Sequence, residues 1–295
     1  MLSIIVSWRD RVELGRALPS LLAAAKRANG DVTIVNFSGS AELLRGQLDG
    51  HRDGVRVVEV PGQQFFNKSA AQNVGAASTR QPVLFFCDCD IIVEPDPVAE
   101  LAGQLLATDG IFGTLAGVRE SETNSRRARH VVSFGYELHI KTADGRQLTI
   151  IDSEEDSQTG LRHAPGLLLV RRTDFIAING YNAGLHGWGW EDQDMISRLT
   201  LGRGLRRIMS GNAIHLSHDD HARIAYYPAV TSRWESRDRM FRTALANYDD
   251  GNFLGTYDRD RLLVPAAHQA SSGSGDPPDA RDARGARGVG DARET

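Results

Sequence analysis

Short apolar runs alternate with amphipathic stretches through the first third of the chain. Leu2–Ser7, Val32–Asn36, Val55–Val60 and Val83–Cys87 have the length and content of strands. Between them, Val12, Leu14, Leu18, Leu21, Leu22 and Ala25 recur at the helical period, and Asn29-Gly30 closes that helix. Ala41–Leu48 and the Ala-rich Asn67–Ser78 predict two further helices. Largely apolar strands alternating with helices predict an α/β fold whose parallel sheet is covered on both faces. Ligands of such sheets bind beyond the carboxyl ends of the strands. That rule draws attention to Arg9 and Arg11 after the first strand, and to Asp88 and Asp90 after the fourth.

The pattern then becomes mixed. Pro95-Asp96-Pro97 predicts a helix to about Ala107, with Asp96 as its cap and Pro97 in the first turn. Ile111–Val118 reads as a strand and Glu120–Arg129 as a polar, mobile loop. Val131–Ile140 and Gln147–Ile151 flank Ala143-Asp144-Gly145, a strong hairpin signal. Asp152–Gly160 is acidic and Ser-rich, a loop of the kind that closes over ligands. Leu167–Arg171 predicts a strand, Thr173 the cap of a short helix, Glu191–Leu201 a helix and Leu205–Met209 a strand. Ser232–Tyr248 predicts a helix with Trp234, Met240, Phe241 and Leu245 on one face. From about Gln269 the chain is Ser, Gly, Pro, Asp, Ala and Arg, which predicts a disordered tail over 269–295 after one domain over 1–268.

Composition narrows the setting. With 34 Lys and Arg against 38 Asp and Glu, the net charge of −4 gives no general pull toward nucleic acid or anionic membrane. No apolar run reaches transmembrane length. The N-terminal LSIIVSW lacks a basic region and a cleavage site, so no signal peptide is expected. The two cysteines, Cys87 and Cys89, are too close for an ordinary structural disulfide, and a reducing cytoplasm is the simplest setting. Attachment at the periphery of an inner membrane is the variant of that expectation.

Candidate chemistry concentrates in three places. Asn179–Asp194, NGYNAGLHGWGWEDQD, sets glycines and two tryptophans before Glu191, Asp192 and Asp194. Aromatic faces suit the C–H faces of sugars, and carboxylates suit their hydroxyls. The competing reading is a helix start whose acids complement the dipole. In Cys87-Asp88-Cys89-Asp90 the strand period puts both carboxylates on one side and the cysteines into packing. Two such acids repel unless a cation lies between them, and a divalent ion can bridge carboxylate and phosphate oxygens. His215 and His218 add imidazole nitrogens after a strand. An oxygen-plus-imidazole set suits Mn2+ better than Mg2+, which is the second choice.

Taken in order, Phe65–Ala76 (FFNKSAAQNVGA), Asp88-Cys89-Asp90, Ala177–Tyr181 (AINGY) and Gly187–Asp194 (GWGWEDQD) resemble the β-1,4-galactosyltransferase family. They also resemble bacterial family 2 transferases and chondroitin-polymerase-type enzymes that share its C-terminal motif. The resemblance spans about Leu2 to Asp220 and implies a GT-A fold: a Rossmann-like, mostly parallel sheet flanked by helices, with a small β-hairpin insertion. It implies a nucleotide-binding half over about 1–110 and an acceptor-binding half over about 111–250. The implied activity is inverting transfer, with Mn2+, from a UDP-sugar of the UDP-galactose or UDP-N-acetylhexosamine type. The acceptor is a hydroxyl of a glycan, peptide, lipid-linked sugar or small molecule. By the same resemblance Ser7, Arg9, Arg11, Phe66, Lys68 and Asp88 serve the nucleotide. Asp90, with His215 favoured over His218, holds the metal, and Asp192 is the base beside Glu191. Trp188, Gly189, Trp190 and Glu191 form the acceptor and sugar side, reshaped where Trp190 replaces a family glycine. A sugar-phosphate nucleotidyltransferase is the nearest rival, but it would want a Gly-rich loop where Ser7-Trp8-Arg9 stands. A glycosidase would need no phosphate chemistry beside its acids. A non-catalytic sugar-binding module would need no base and metal site together.

Overall fold

The computed structural model describes residues 1–122, 130–133, 135–218, 222 and 224–264. The expected tail at 269–295, most of the loop expected over 120–129, and Asp219, Asp220 and His221 lie outside the described residues.

The four early strands form where the apolar runs predict them: β1 (Leu2–Trp8), β2 (Asp31–Phe37), β3 (Val55–Val60) and β4 (Val83–Asp88). They pair in parallel in the order β4-β1-β2-β3. Beyond β4 the same sheet continues with β11 (Leu168–Arg171), β6 (Ile111–Thr114) and β12 (Arg206–Met209). β11 runs antiparallel to both neighbours, so this seven-stranded sheet is mostly but not wholly parallel.

Strand alternation divides the core between two layers. Leu2, Ile4, Val6 and Trp8 of β1, with Val83, Phe85 and Cys87 of β4, face α1 (Leu14–Arg27), α2 (Ala41–Gln47) and α4 (Pro95–Ala107). Ile5, Leu84 and Phe86 point the other way, toward α3 (Lys68–Ala77), α5 (Arg172–Ala177) and α6 (Glu191–Ser197). α3 lies close enough to β1 that a Cβ on Gly75 would come within 2.3 Å of the Ile5 side chain, which is why a glycine stands there. Cys87 and Cys89 are buried, free thiols in the first layer; the strand period accounts for Cys87, whereas Cys89 lies in the turn that follows β4.

The departures from expectation are local. Val12 is 60% exposed and precedes α1, so it is not one of the helix's core positions. α4 starts at Pro95 with Glu94 at its cap, and Asp96 instead pairs with Arg27 at 2.7 Å. α5 starts at Arg172, so Thr173 lies inside it and caps nothing. The helix expected over Glu191–Leu201 is α-helical only to Ser197 and continues as a π-helical turn over Arg198–Gly202.

A second, four-stranded sheet had no clear pattern in the sequence. It comprises β10 (Leu161–Arg162), β7 (Gly117–Glu120), β13 (Asn212–His215) and β5 (Ile91–Val93), in that order. The single strand expected over Ile111–Val118 is two strands in two sheets. At the crossing the Leu115 and Ala116 amides donate to Leu167 and Gly211 carbonyls at 3.0 and 2.9 Å. The predicted hairpin is present as β8 (Gly135–Lys141) and β9 (Gln147–Ser153).

α7 (Arg233–Asp249) follows Ser232, whose hydroxyl caps it by accepting from the Glu235 amide. It buries Ser236, Met240, Ala244 and Tyr248 at the helical period. Trp234 is not on that face; it is 38% exposed beneath the guanidiniums of Arg233 and Arg237. Among the described residues the chain then forms α8 (Tyr257–Asp260), followed by a 3-10 turn over Arg261–Leu263. Among the described residues no helix is long and apolar enough to cross a membrane.

Candidate active site

A cleft of about 990 Å³ opens at the carboxyl ends of β1 and β4, bounded by the small sheet, the end of β9 and the start of α7. It gathers residues far apart in sequence: Ser7, Arg9 and Arg11; Phe66 and Lys68; Asp88 and Asp90; Trp188, Gly189, Glu191 and Asp192; His215 and His218. Every residue that the sequence nominated for nucleotide, metal, base or acceptor lines it, with the exception of Trp190, and Asp194 of the acid run also stays outside it.

The first cluster is built by the small sheet. Antiparallel pairing of β13 with β5 sets His215 opposite Ile91, and the Leu216 amide donates to the Asp90 carbonyl at 2.8 Å. Asp90 itself sits in the turn between β4 and β5 rather than on the strand. His218 Nε2 lies 3.2 Å and His215 Nε2 3.6 Å from Asp90 Oδ2, and one ligand atom from each residue falls within 4.8 Å of the others. Asp90 Oδ1 is buried with no hydrogen-bond partner, which a cation would answer. One carboxylate and two imidazoles, with ligand atoms within 4.8 Å of one another, form a donor set that fits a divalent transition-metal ion. Both histidines therefore belong to the cluster, where sequence favoured one.

Electrostatics tighten it. Burial raises the Asp90 carboxyl, but the neighbouring His215 and His218 imidazoles and the charge of Arg11 hold it well below the usual range. Burial lowers His215, and the carboxylates of Asp90 and Glu120 more than restore it. Glu120 was expected in a mobile loop. It is instead the last residue of β7, 5% exposed, with Oε2 2.7 Å from His215 Nδ1. Burial raises its carboxyl too, but His215, Arg162 and Ser217 bring it down to about 2.

The second cluster lies across the cleft. Lys68, at the start of α3, places Nζ 2.6 Å from Asp88 Oδ1 and 3.2 Å from Glu191 Oε1. Burial lowers this ammonium, but Asp88, Glu191 and Asp192 outweigh burial and hold it well above the usual lysine range. Asp192 is adjacent and has no such ion pair within 4 Å among the described contacts. A Cβ on Gly166 would stand 3.3 Å from Asp192 Oδ2 and 3.9 Å from Asp88 Oδ2, so a glycine keeps the approach to both acids open. Burial and the charge of Glu191 push the Asp192 carboxyl up to about 7, against Lys68 and the Gln193 amide, which lower it. A carboxyl poised there can accept a proton near neutral pH.

Arg9 and Arg11 enter the cleft already engaged. Arg9 donates to the Gln63 and Gln64 carbonyls at 3.3 and 3.4 Å and lies over the Tyr226 ring at 5.0 Å. Arg11 pairs with Glu13 at 3.0 Å and Asp90 at 3.2 Å, which brings it to the metal cluster rather than leaving it as an open fork. Trp8 does not reach the cleft; its ring is in the core, and its indole N–H donates to the Arg11 carbonyl at 2.8 Å.

Trp190 needs correction as an acceptor residue. Its side chain is 2% exposed and packs among Leu185, Met240, Ala244, Tyr248 and Phe241, with ring centroids 4.8 Å apart for the Phe241 pair. It joins α7 to α6; Trp188, two residues earlier, faces the cleft with Arg233 over its ring at 5.4 Å. Gly189, at φ +116°, makes the turn that separates them. Trp190→Ala should cost about 3–5 kcal/mol of stability, whereas Trp188→Ala should cost about 1 kcal/mol or less. Urea unfolding of both variants checks the ranking, and equal stabilities would overturn it.

Sequence reasoning gave no site role to Tyr226, Tyr227, Arg233 and Arg237, and placed Glu120, Asp152 and Glu154 only as parts of two loops; all of them line the cleft. Arg237 pairs with Asp152 at 2.9 Å and Arg233 with Glu154 at 3.1 Å, tying β9 to α7. The Tyr226-Tyr227 pair after the histidines was the available signal for one side.

The fold is that of the GT-A glycosyltransferases. Residues 3–164, more than half of the chain, match glycosyl transferase family 2, and residues 159–219 match the N-terminal domain of galactosyltransferase. The chain belongs to glycosyl transferase family 2. Among solved structures it is similar to GalNAc-T7, crystallised with UDP, GalNAc and Mn2+, at a TM-score of 0.54 and 17% identity. The match covers 82% of this chain and 47% of that one, so this chain spans about half the length of that structure. No match is found among curated proteins.

Proposed function

We propose that this chain moves a sugar from a UDP-sugar, of the UDP-galactose or UDP-N-acetylhexosamine type, to an acceptor hydroxyl with inversion at the anomeric carbon. The observation that carries the reading is one cleft that joins the Asp90, His215 and His218 cluster to the Asp192 carboxyl, which burial and Glu191 push up to about 7. Mn2+ held by Asp90, His215 and His218 would supply positive charge for the departing diphosphate. Residues 1–268 act as one transferase unit, with the donor served by about 1–110 and the acceptor by about 111–250.

On the donor side Ser7, Arg9, Arg11 and Phe66 shape the nucleotide's place, and Lys68 holds Asp88 beside it. On the acceptor side Trp188 and Gly189 form the wall, and Glu191, held by Lys68, orients the acceptor. Asp192 accepts the acceptor's hydroxyl proton while that oxygen attacks the anomeric carbon from the face opposite UDP. The bond from that carbon to the phosphate oxygen breaks, and its electrons leave with UDP. A positioned base of this kind contributes roughly 10² to 10⁴ in rate.

The test is a panel of UDP-sugars offered to the purified chain with simple glycosides, peptides and lipid-linked sugars as acceptors, scoring UDP release with Mn2+ and again with EDTA. Release that needs Mn2+, with NMR showing an inverted anomeric bond in the product, is expected. Absence of release from every pair, or a retained configuration, would sink the corresponding part of the reading.

A further inference from the structure

The small sheet does more than carry His215 to the cleft. Parallel pairing of β13 with β7 puts His215 directly beside Glu120 in register, so both side chains leave the same face. Glu120 Oε2 is 2.7 Å from His215 Nδ1, and both residues are nearly inaccessible, at 5% and 4% exposure. The same oxygen accepts from the Ser217 hydroxyl at 2.9 Å, and Oε1 faces Arg162 Nε at 3.4 Å. An ionised carboxylate only accepts hydrogen bonds, so Nδ1 must carry the hydrogen. In the neutral ring, Nε2 is then left with its lone pair directed toward Asp90.

We propose that Glu120 is a positioning residue that fixes His215 in the Nδ1–H tautomer and so sets the cation affinity of the Asp90, His215 and His218 site. The inference rests on the metal-dependent reading above. Carboxylates behind a ligating imidazole hold its ring and raise its basicity, and losing one typically costs 10–100-fold in metal affinity. Glutamine at position 120 keeps the shape but not the uniform acceptor character. Its amide has one oxygen to meet both the Arg162 and the Ser217–His215 sides, so one of them faces an NH2 group. An NH2 against Nδ1 shifts the hydrogen to Nε2, where it blocks ligation; an oxygen there preserves the tautomer but removes the negative charge.

The experiment compares wild-type chain, Glu120→Gln and Asp90→Asn by titration with Mn2+, read calorimetrically and by the EPR signal of free Mn2+. In parallel, the ¹⁵N spectrum of labelled histidine identifies the His215 tautomer in metal-free protein, at a pH above the histidine range. The expected result is an Nδ1–H tautomer in the wild type and about 10–100-fold weaker Mn2+ binding in Glu120→Gln. Loss of binding in Asp90→Asn should accompany it. Unchanged circular dichroism and melting of metal-free Glu120→Gln exclude a fold defect as the cause. An Nε2–H tautomer in the wild type, or Glu120→Gln affinity within about threefold of wild type, well short of the loss expected for such a partner, overturns the inference alone. A wild-type chain that binds no Mn2+ overturns it together with the metal-dependent reading.

Discussion

Asp192→Asn should lower turnover at least about a hundredfold, as expected for a lost general base, while donor affinity stays within a few-fold. The carboxyl acts on the acceptor proton, so its removal is felt in the transition state rather than in the binding of UDP-sugar. Because Asp192 is pushed up to about 7 by burial and by Glu191, kcat/KM of the wild type should rise with pH across that value and then level. Stability should move the opposite way. The ordinary carboxyl value is 3.8, so between there and about 7 the folded chain binds the proton more tightly than the unfolded chain. Stability from this group is therefore complete at the acid end and lost as pH rises through about 7. Asparagine stays neutral, so metal-free Asp192→Asn should melt above the wild type on the alkaline side, by about 2–4 °C for each kcal/mol recovered. Calorimetry across the pH range and steady-state kinetics read the two arms. A variant with near wild-type turnover and a melting point no higher than the wild type's would leave Asp192 as an ordinary helix-start acid.

Arg198→Met should be the most destabilising single change in the helix that carries the base. Arg198 and Asp194 are each 1% exposed and pair at 2.7 Å, one helical turn apart. Arg198 also donates to the Gly180 carbonyl at 2.6 Å, and Asp194 accepts from the Tyr248 hydroxyl at 2.8 Å. The pair thus locks α6 to the Asn179–Tyr181 turn on one side and to α7 on the other. Methionine fills part of the volume but leaves the Asp194 charge buried without its partner, which typically costs 3–5 kcal/mol. Melting should fall by about 6–20 °C. A fall of less than about 2 °C, below what even 1 kcal/mol brings, would show that the pair is not what fixes this helix. Asp194 belonged with Glu191 and Asp192 as a run of acids in the sequence; in the fold it is buried and lies outside the cleft lining.

The α/β character, the four parallel strands and the hairpin were legible because each rests on a short-range regularity. β1, β2 and β4 are largely buried on both sides and therefore read as apolar runs, and the edge strand β3 keeps four valines in six residues; α1 repeats at the helical period, and α3 is buried almost throughout and reads as an Ala-rich run. The order of motifs also carried the candidate donor, acid and histidine residues into one cleft. The small sheet was not legible, since β5, β10 and β13 are two to four residues long and carry no period of their own. Their pairing is decided by partners far away in the chain.

By itself, then, the sequence determined the layer arrangement and the types of chemistry: acids after an apolar strand, an aromatic-glycine-acid turn, and histidines after a later strand. Only the tertiary structure decided which of two tryptophans faces the cleft, that both His215 and His218 meet Asp90, and that Glu120 stands behind His215. The reason is physical. Periodicity reports which face of an element is buried, but not what buries it. Trp188 and Trp190 share a local pattern and differ because the apolar face of α7 at Met240, Ala244 and Tyr248 buries Trp190, while Trp188 meets the polar start of that helix at Arg233 and Ser236. Glu120 became a partner of His215 through the register between β7 and β13, a relation across 95 residues that no local pattern encodes.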